Sequence, residues 1–129
     1  MSNSIYIVDD DDAVRASLHS LLSIRPELIV RGFRTGDAFL EESEELAKGV
    51  VLLDFHMPGS SGMDVLEAIH DRIGEQFAPI ILTGQGNVSL AVEAMKHGAL
   101  DFIEKPYEEE QLLSTVDGAF AHLEASSEE

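Results

Sequence analysis

Short, β-branched apolar runs recur along the chain, at Ile5–Val8, Leu28–Val30 with Phe33, Val50–Leu53, Pro79–Leu82 and Leu100–Ile103. A continuous run of this kind is how a parallel strand buried on both faces reads. Apolar residues at helical spacing lie between them: Val14, Leu18, Leu21 and Leu22, then Val65, Leu66, Ile69 and Ile73. A last helix carries Leu112, Leu113, Val116, Phe120 and Leu123. Asn87 predicts an N-cap before Val88–Met95, with Gly98 as the helix stop. Thr35–Lys48 is harder to read, because acidic residues crowd the spacing of Phe39, Leu40 and Leu46. Five strands alternating with five helices predict an α/β fold, a doubly wound parallel sheet with right-handed crossovers and helices on both faces. In such sheets the site lies beyond the carboxyl ends of the strands. Chemistry is therefore to be sought just after each run.

The bulk properties narrow the function classes. A chain of 129 residues makes one domain. We place that domain at residues 1–123 and expect 124–129 to be an acidic, flexible tail. No apolar run approaches the ~20 residues needed to span a bilayer. No secretory signal precedes Ile5, so a cytoplasmic location without membrane contact is expected. The absence of cysteine excludes disulfides and thiol-based metal sites. With 8 Lys and Arg against 25 Asp and Glu, and a net charge of −17, no face can carry the positive density that a phosphate backbone requires. Direct nucleic-acid binding by this chain is not expected.

The strand ends do carry chemistry. Asp9-Asp10-Asp11-Asp12 follows the first run and Asp54 closes the third. Thr83-Gly84 follows the fourth, and Lys105-Pro106 the fifth. Converging carboxylates repel unless a cation is supplied, and an all-oxygen set suits Mg²⁺. A carboxylate anchored at a buried strand end, as Asp54 is, can attack phosphorus to form an acyl phosphate. Lys105 and the Thr83 hydroxyl suit phosphoryl oxygens. Taken singly, each has a duller role: Asp54 as a turn residue, Thr83 as a structural hydroxyl, Lys105 as a solvated cation, and Asp11 or Asp12 as a helix N-cap. Their coincidence at one sheet edge favours the chemical reading, and the cap is retained for Asp11 or Asp12.

These motifs resemble the receiver domain of bacterial two-component response regulators over nearly the whole chain. The resemblance rests on Asp9-Asp10, Asp54 ahead of Met57-Pro58-Gly59, Thr83-Gly84, and Lys105-Pro106 followed by Tyr107. The segments from Thr83 to Val88, Ala91 to Lys96 and Asp101 to Pro106 look most like the FixJ-type branch. The resemblance implies a flavodoxin-like sheet with strand order 2-1-3-4-5. It implies that Asp54 is the phosphoacceptor, served by a sensor histidine kinase or a phosphotransfer protein. Mg²⁺ would be held by Asp10, Asp54 and the backbone carbonyl of His56, with Asp9 acting through metal-bound water. Thr83 and Lys105 would contact the phosphoryl group, the Lys105–Pro106 bond would be cis, and Tyr107 would be the switch aromatic that follows Thr83. Such a domain is not an enzyme beyond its own phosphorylation and dephosphorylation.

Further expectations concern lifetime, surfaces and output. His56 and Gln85 stand where side chains can tune the lifetime of the aspartyl phosphate. The remaining histidines, His19, His70, His97 and His122, are read as surface residues. By the same resemblance, Arg15–Leu22 and the loop after Lys105 would face the kinase. The face of Asn87–His97, Leu100–Glu104 and the last helix would change on phosphorylation and form a homodimer. An aspartate-nucleophile phosphatase of the haloacid dehalogenase type is disfavoured, because His56 stands where those enzymes carry a second acid. A flavin-binding module is disfavoured because Asp9–Asp12 would repel its phosphate. For output, the sequence favours a stand-alone regulator. The alternative is the N-terminal receiver of a FixJ-like DNA-binding transcriptional regulator.

Overall fold

The computed structural model describes residues 3–55, 61–84 and 88–127. Its strands are β1 (Asn3–Val8), β2 (Leu28–Phe33), β3 (Gly49–Asp54), β4 (Phe77–Thr83) and β5 (Asp101–Glu104). The helices among these residues are α1 (Asp12–Leu22), α2 (Gly36–Glu42), α3 (Gly62–Ala68), α4 (Val88–Lys96) and α5 (Glu109–Ser127), with a 3₁₀ turn at His70–Arg72. All strand pairs are parallel and the order is β2-β1-β3-β4-β5. This is the flavodoxin-like arrangement, so the predicted fold class and strand order both hold.

Alternation along the strands divides the core in two. Ile5, Ile7, Val50, Leu52, Ile80, Leu82 and Ile103 face α1 and α5, meeting Leu18, Leu22, Leu112 and Val116. Tyr6, Val8, Val51, Leu53 and Ile81 face the other way, toward Phe39, Val65, Leu66 and Ala94. A fully buried side chain of this size is worth about 1.5–3 kcal/mol. The central strands β3 and β4 are therefore the most firmly held, and Asp54 and Thr83 end them. The edge strand β2 is exposed at Ile29, Arg31 and Gly32, which explains why its apolar run is short.

Local devices fix the elements that the sequence left ambiguous. Helix α2 starts where the Thr35 hydroxyl accepts from Ala38 N at 3.0 Å. It is held by Phe39, whose ring centroid lies 5.4 Å from those of both Phe33 and Phe77. It stops at Glu42, before the rest of the acidic run, and Ser43 is buried behind it. The helix read through Ile69 to Ile73 is shorter than its spacing suggests: α3 ends at Ala68, the 3₁₀ turn follows, and Ile73 lies beyond it. Gly98 does end α4, with φ +108° and its N–H donating to Met95 O. The predicted cap at Asn87 lies outside the described residues.

Candidate functional site

Strand β1 delivers Asp9 at its carboxyl end, and four polar contacts surround that residue. Its N–H donates to Phe33 O at 3.1 Å. Its backbone oxygen accepts from Arg15 Nη1 at 2.8 Å. Oδ1 accepts from Asp11 N at 2.9 Å. Oδ2 is buried without a hydrogen-bond partner among the described residues and lies 3.9 Å from Lys105 Nζ. Asp11 is the N-cap of α1, accepting from Ala13 N and Val14 N, which settles the choice between it and Asp12. Asp10, between them, is exposed.

Asp54 closes β3 and is 7% exposed. Its backbone neighbour Phe55 extends the sheet pairing, donating to Leu82 O at 3.1 Å. Carboxylate oxygens of Asp9, Asp10 and Asp54 all lie within 4.8 Å of one another. Lys105 Nζ stands 3.7 Å from Asp54 Oδ1. Thr83, at the end of β4, is 1% exposed and its Oγ1 has no hydrogen-bond partner among the described residues. Its carbonyl accepts from Lys105 N at 2.8 Å, so the two residues are joined through the backbone. The Lys105–Pro106 peptide is cis. Tyr107 is half-buried and lines a groove with Ser17, Leu21 and Ile24 of the α1 side.

The electrostatics follow from this crowding. Burial pushes the Asp9 carboxyl above the ordinary carboxylate range. The Asp11 N–H draws it back, Asp54 raises it, Lys105 lowers it and Asp10 raises it again. Burial also raises the Tyr107 phenol, with the charge of Asp9 adding to the effect. Three carboxylates against one ammonium leave an excess of negative charge at the sheet edge. The donor set is all oxygen, and the buried Asp9 Oδ2 has unused acceptor capacity. These features fit a hard divalent cation such as Mg²⁺, which takes few protein carboxylates and keeps several waters.

The structure thus brings together Asp9, Asp10, Asp54 and Lys105, with Thr83 tied to Lys105. His56 and Gln85, assigned to phosphate lifetime, lie outside the described residues, as does the His56 carbonyl. His19, His70 and His122 are exposed, whereas His97 is half-buried with Nε2 3.9 Å from Glu93 Oε1. The sequence reading gave Arg15 only to the kinase-facing segment and missed its contact to the Asp9 carbonyl, made from the next turn of chain. An Arg inside the first turn after an acidic run was the available signal. No helix of the described residues is long and apolar enough to cross a membrane.

Residues 5–117 match the family described as response regulator receiver domain. The transcriptional regulatory protein FixJ of Azorhizobium caulinodans is 43% identical over 112 residues, covering 87% of this chain and 52% of that protein. The response regulator protein TmoT of Ectopseudomonas mendocina is 45% identical over 113 residues, covering 87% of this chain and 50% of its own length. Among solved structures, the FixJ-N crystal structure superposes with a TM-score of 0.86 at 36% identity, covering 95% of this chain and 96% of that one. Full-length FixJ from B. japonicum gives 0.89 at 38% identity, covering 99% of this chain and 63% of that one. The chain spans about half the length of these two curated relatives.

Proposed function

Because the chain belongs to the response regulator receiver domain family, we propose that it accepts a phosphoryl group on Asp54 from the phosphohistidine of a sensor histidine kinase or phosphotransfer protein. The observation that carries this reading is the meeting of Asp9, Asp10 and Asp54 beside Lys105 at the ends of β1, β3 and β5.

A carboxylate oxygen of Asp54 forms a bond to phosphorus as the P–N bond of phosphohistidine breaks. The electron pair leaves with the imidazole, which then takes up a proton. Asp10 and Asp54, with the His56 carbonyl, would hold Mg²⁺ directly, and Asp9 through water. Bound there, the cation supplies charge neutralisation for the phosphoryl oxygens. Lys105 presents its ammonium to one such oxygen, and the buried Thr83 hydroxyl donates to another. Satisfying Thr83 draws the end of β4 toward the site. Tyr107, beyond Lys105 on the same connection, then changes its packing. The chemistry is confined to the domain's own phosphorylation and its reversal, with His56 and Gln85 assigned to the lifetime of the acyl phosphate.

For output, the relatives give more support to the receiver of a FixJ-like transcriptional regulator than to a stand-alone regulator. The two curated relatives above are about twice the length of the matched segment, and one is a transcriptional regulator by name. Any DNA contact would come from a further segment, since the charge of this chain opposes it. Helix α4 exposes Val88, Val92 and Met95, and this face is assigned to a homodimer formed on phosphorylation. The groove beside Tyr107 and α1 is assigned to the kinase. Sequencing the gene beyond codon 129 tests the output: a basic helical segment supports the transcriptional reading, and an immediate stop codon removes it.

A further inference from the structure

We propose that Arg15 is a positioning residue for the acidic site, fixing which Asp9 oxygen faces the cation. Its Nη1 donates to the Asp9 carbonyl at 2.8 Å, reaching back across the β1–α1 turn. Its Nη2 pairs with Asp12 Oδ1, which anchors the guanidinium at the start of α1. The stem lies over β2, where a Cβ at Gly32 would stand 3.4 Å from Arg15 Cδ. One planar fork thus spans the turn that carries Asp9, Asp10 and Asp11, a task that two separated donors in fixed geometry perform and a single ammonium does less well.

The consequence lies in the remaining contacts of Asp9. Its N–H is committed to Phe33 O, its carbonyl to Arg15 and its Oδ1 to Asp11 N. Only Oδ2 is left, buried at the site near Lys105. Without Arg15 the carbonyl of Asp9 loses its donor and the turn loses its cross-brace. The turn that presents the Asp11 N–H to Oδ1 can then shift, and the Asp9 carboxylate and Asp10 shift with it. Residues that orient metal-binding groups from behind in this way typically set metal affinity by about 10–100-fold.

This proposal rests on the reading of Asp9, Asp10 and Asp54 as a cation-assisted phosphoacceptor site. The sign of the effect separates positioning from bare charge. Arg15 is a cation near a cation site, so Coulomb's law alone predicts that removing it tightens Mg²⁺ binding. Positioning predicts the reverse.

The test is Mg²⁺ titration followed by amide NMR shifts in wild type, Arg15→Met, Arg15→Lys and Asp10→Asn, with circular dichroism to establish folding. Arg15→Met is expected to weaken Mg²⁺ binding about tenfold, with Arg15→Lys between it and wild type. With acetyl phosphate as phosphodonor, the Mg²⁺ concentration for half-maximal labelling of Arg15→Met should rise by the same factor, the deficit closing as Mg²⁺ saturates. Unchanged or tighter Mg²⁺ binding in folded Arg15→Met overturns the proposal, as does a labelling deficit that saturating Mg²⁺ leaves in place. Should Arg15→Met fail to fold, Arg15→Lys decides: weaker binding supports positioning, and wild-type binding overturns it. A wild type that shows no saturable Mg²⁺ shift, like Asp10→Asn, removes the underlying site and this proposal together.

Discussion

Lys105 Nζ stands 3.7 Å from Oδ1 of Asp54, reaching past the end of β4, which separates their two strands. The same ammonium is 3.9 Å from Asp9 Oδ2, so one cation serves two buried carboxylates. At these separations the attraction is Coulombic rather than hydrogen-bonded. Replacing Lys105 with Met should cost about 1 kcal/mol of stability in the absence of Mg²⁺, because the two acids lose their shared partner. Labelling by acetyl phosphate should fall further, by about 100-fold, since a donor to developing phosphoryl charge is lost. Urea unfolding and the initial labelling rate measure the two effects separately.

Asp9 sets a pH dependence whose sign is fixed by its burial. Its folded carboxyl holds a proton to higher pH than the unfolded one. The stability it contributes is therefore complete below the unfolded carboxylate range, about pH 4, and is lost as pH climbs through the raised folded value. Asp9→Asn lacks this loss. Without Mg²⁺ it should be more stable than wild type at pH 7, with the difference shrinking toward pH 4. Urea unfolding across that range checks the convergence. Parallel curves would show that Asp9 carries no such penalty.

Gly62 packs tightly against the residue that follows Asp54. A Cβ there would lie 2.5 Å from Phe55 Cδ1 and 3.0 Å from Phe55 Cα. Gly62→Ala must push Phe55, the residue after Asp54, out of place. The expected cost is about 1–3 kcal/mol in urea unfolding, with reduced Mg²⁺ affinity because Asp54 moves as well. A variant equal to wild type in both would show that Phe55 yields to the methyl without cost.

The exposed Val92, between Val88 and Met95 on α4, gives the self-association reading a direct handle. Beryllofluoride, which mimics a phosphoryl group on a carboxylate, should shift wild type toward dimer in sedimentation velocity. Val92→Glu should bind beryllofluoride yet remain monomeric. A dimer that survives the substitution would move the interface away from α4.

The sequence made the strands legible because β1, β3 and β4 are buried on both faces and read as unbroken apolar runs. It also placed Asp9, Asp10, Asp54, Thr83 and Lys105 at one edge, because the topology of a parallel sheet collects strand ends there. Helix α2 was obscured by its acidic flank, since its stability comes from Phe39 meeting Phe33 of the preceding strand and Phe77, far along the chain. The break after Ala68 was hidden because Ile69 and Ile73 continue the apolar spacing while the backbone tightens into a 3₁₀ turn. Within the site, nothing in the run Asp9–Asp12 distinguishes a buried acid, an exposed one and a helix cap. Hydrogen bonds to Phe33, Arg15 and the first turn of α1 make that distinction.

The phosphoacceptor assignment meets its most direct test in mass spectrometry of wild type and Asp54→Ala after incubation with acetyl phosphate and Mg²⁺. Wild type should gain the mass of one phosphoryl group, lose it on alkaline hydrolysis, and gain none when Mg²⁺ is chelated. Asp54→Ala should gain none under any of these conditions. Stoichiometric phosphorylation of folded Asp54→Ala, or a wild type that stays unlabelled with Mg²⁺ present, would contradict it.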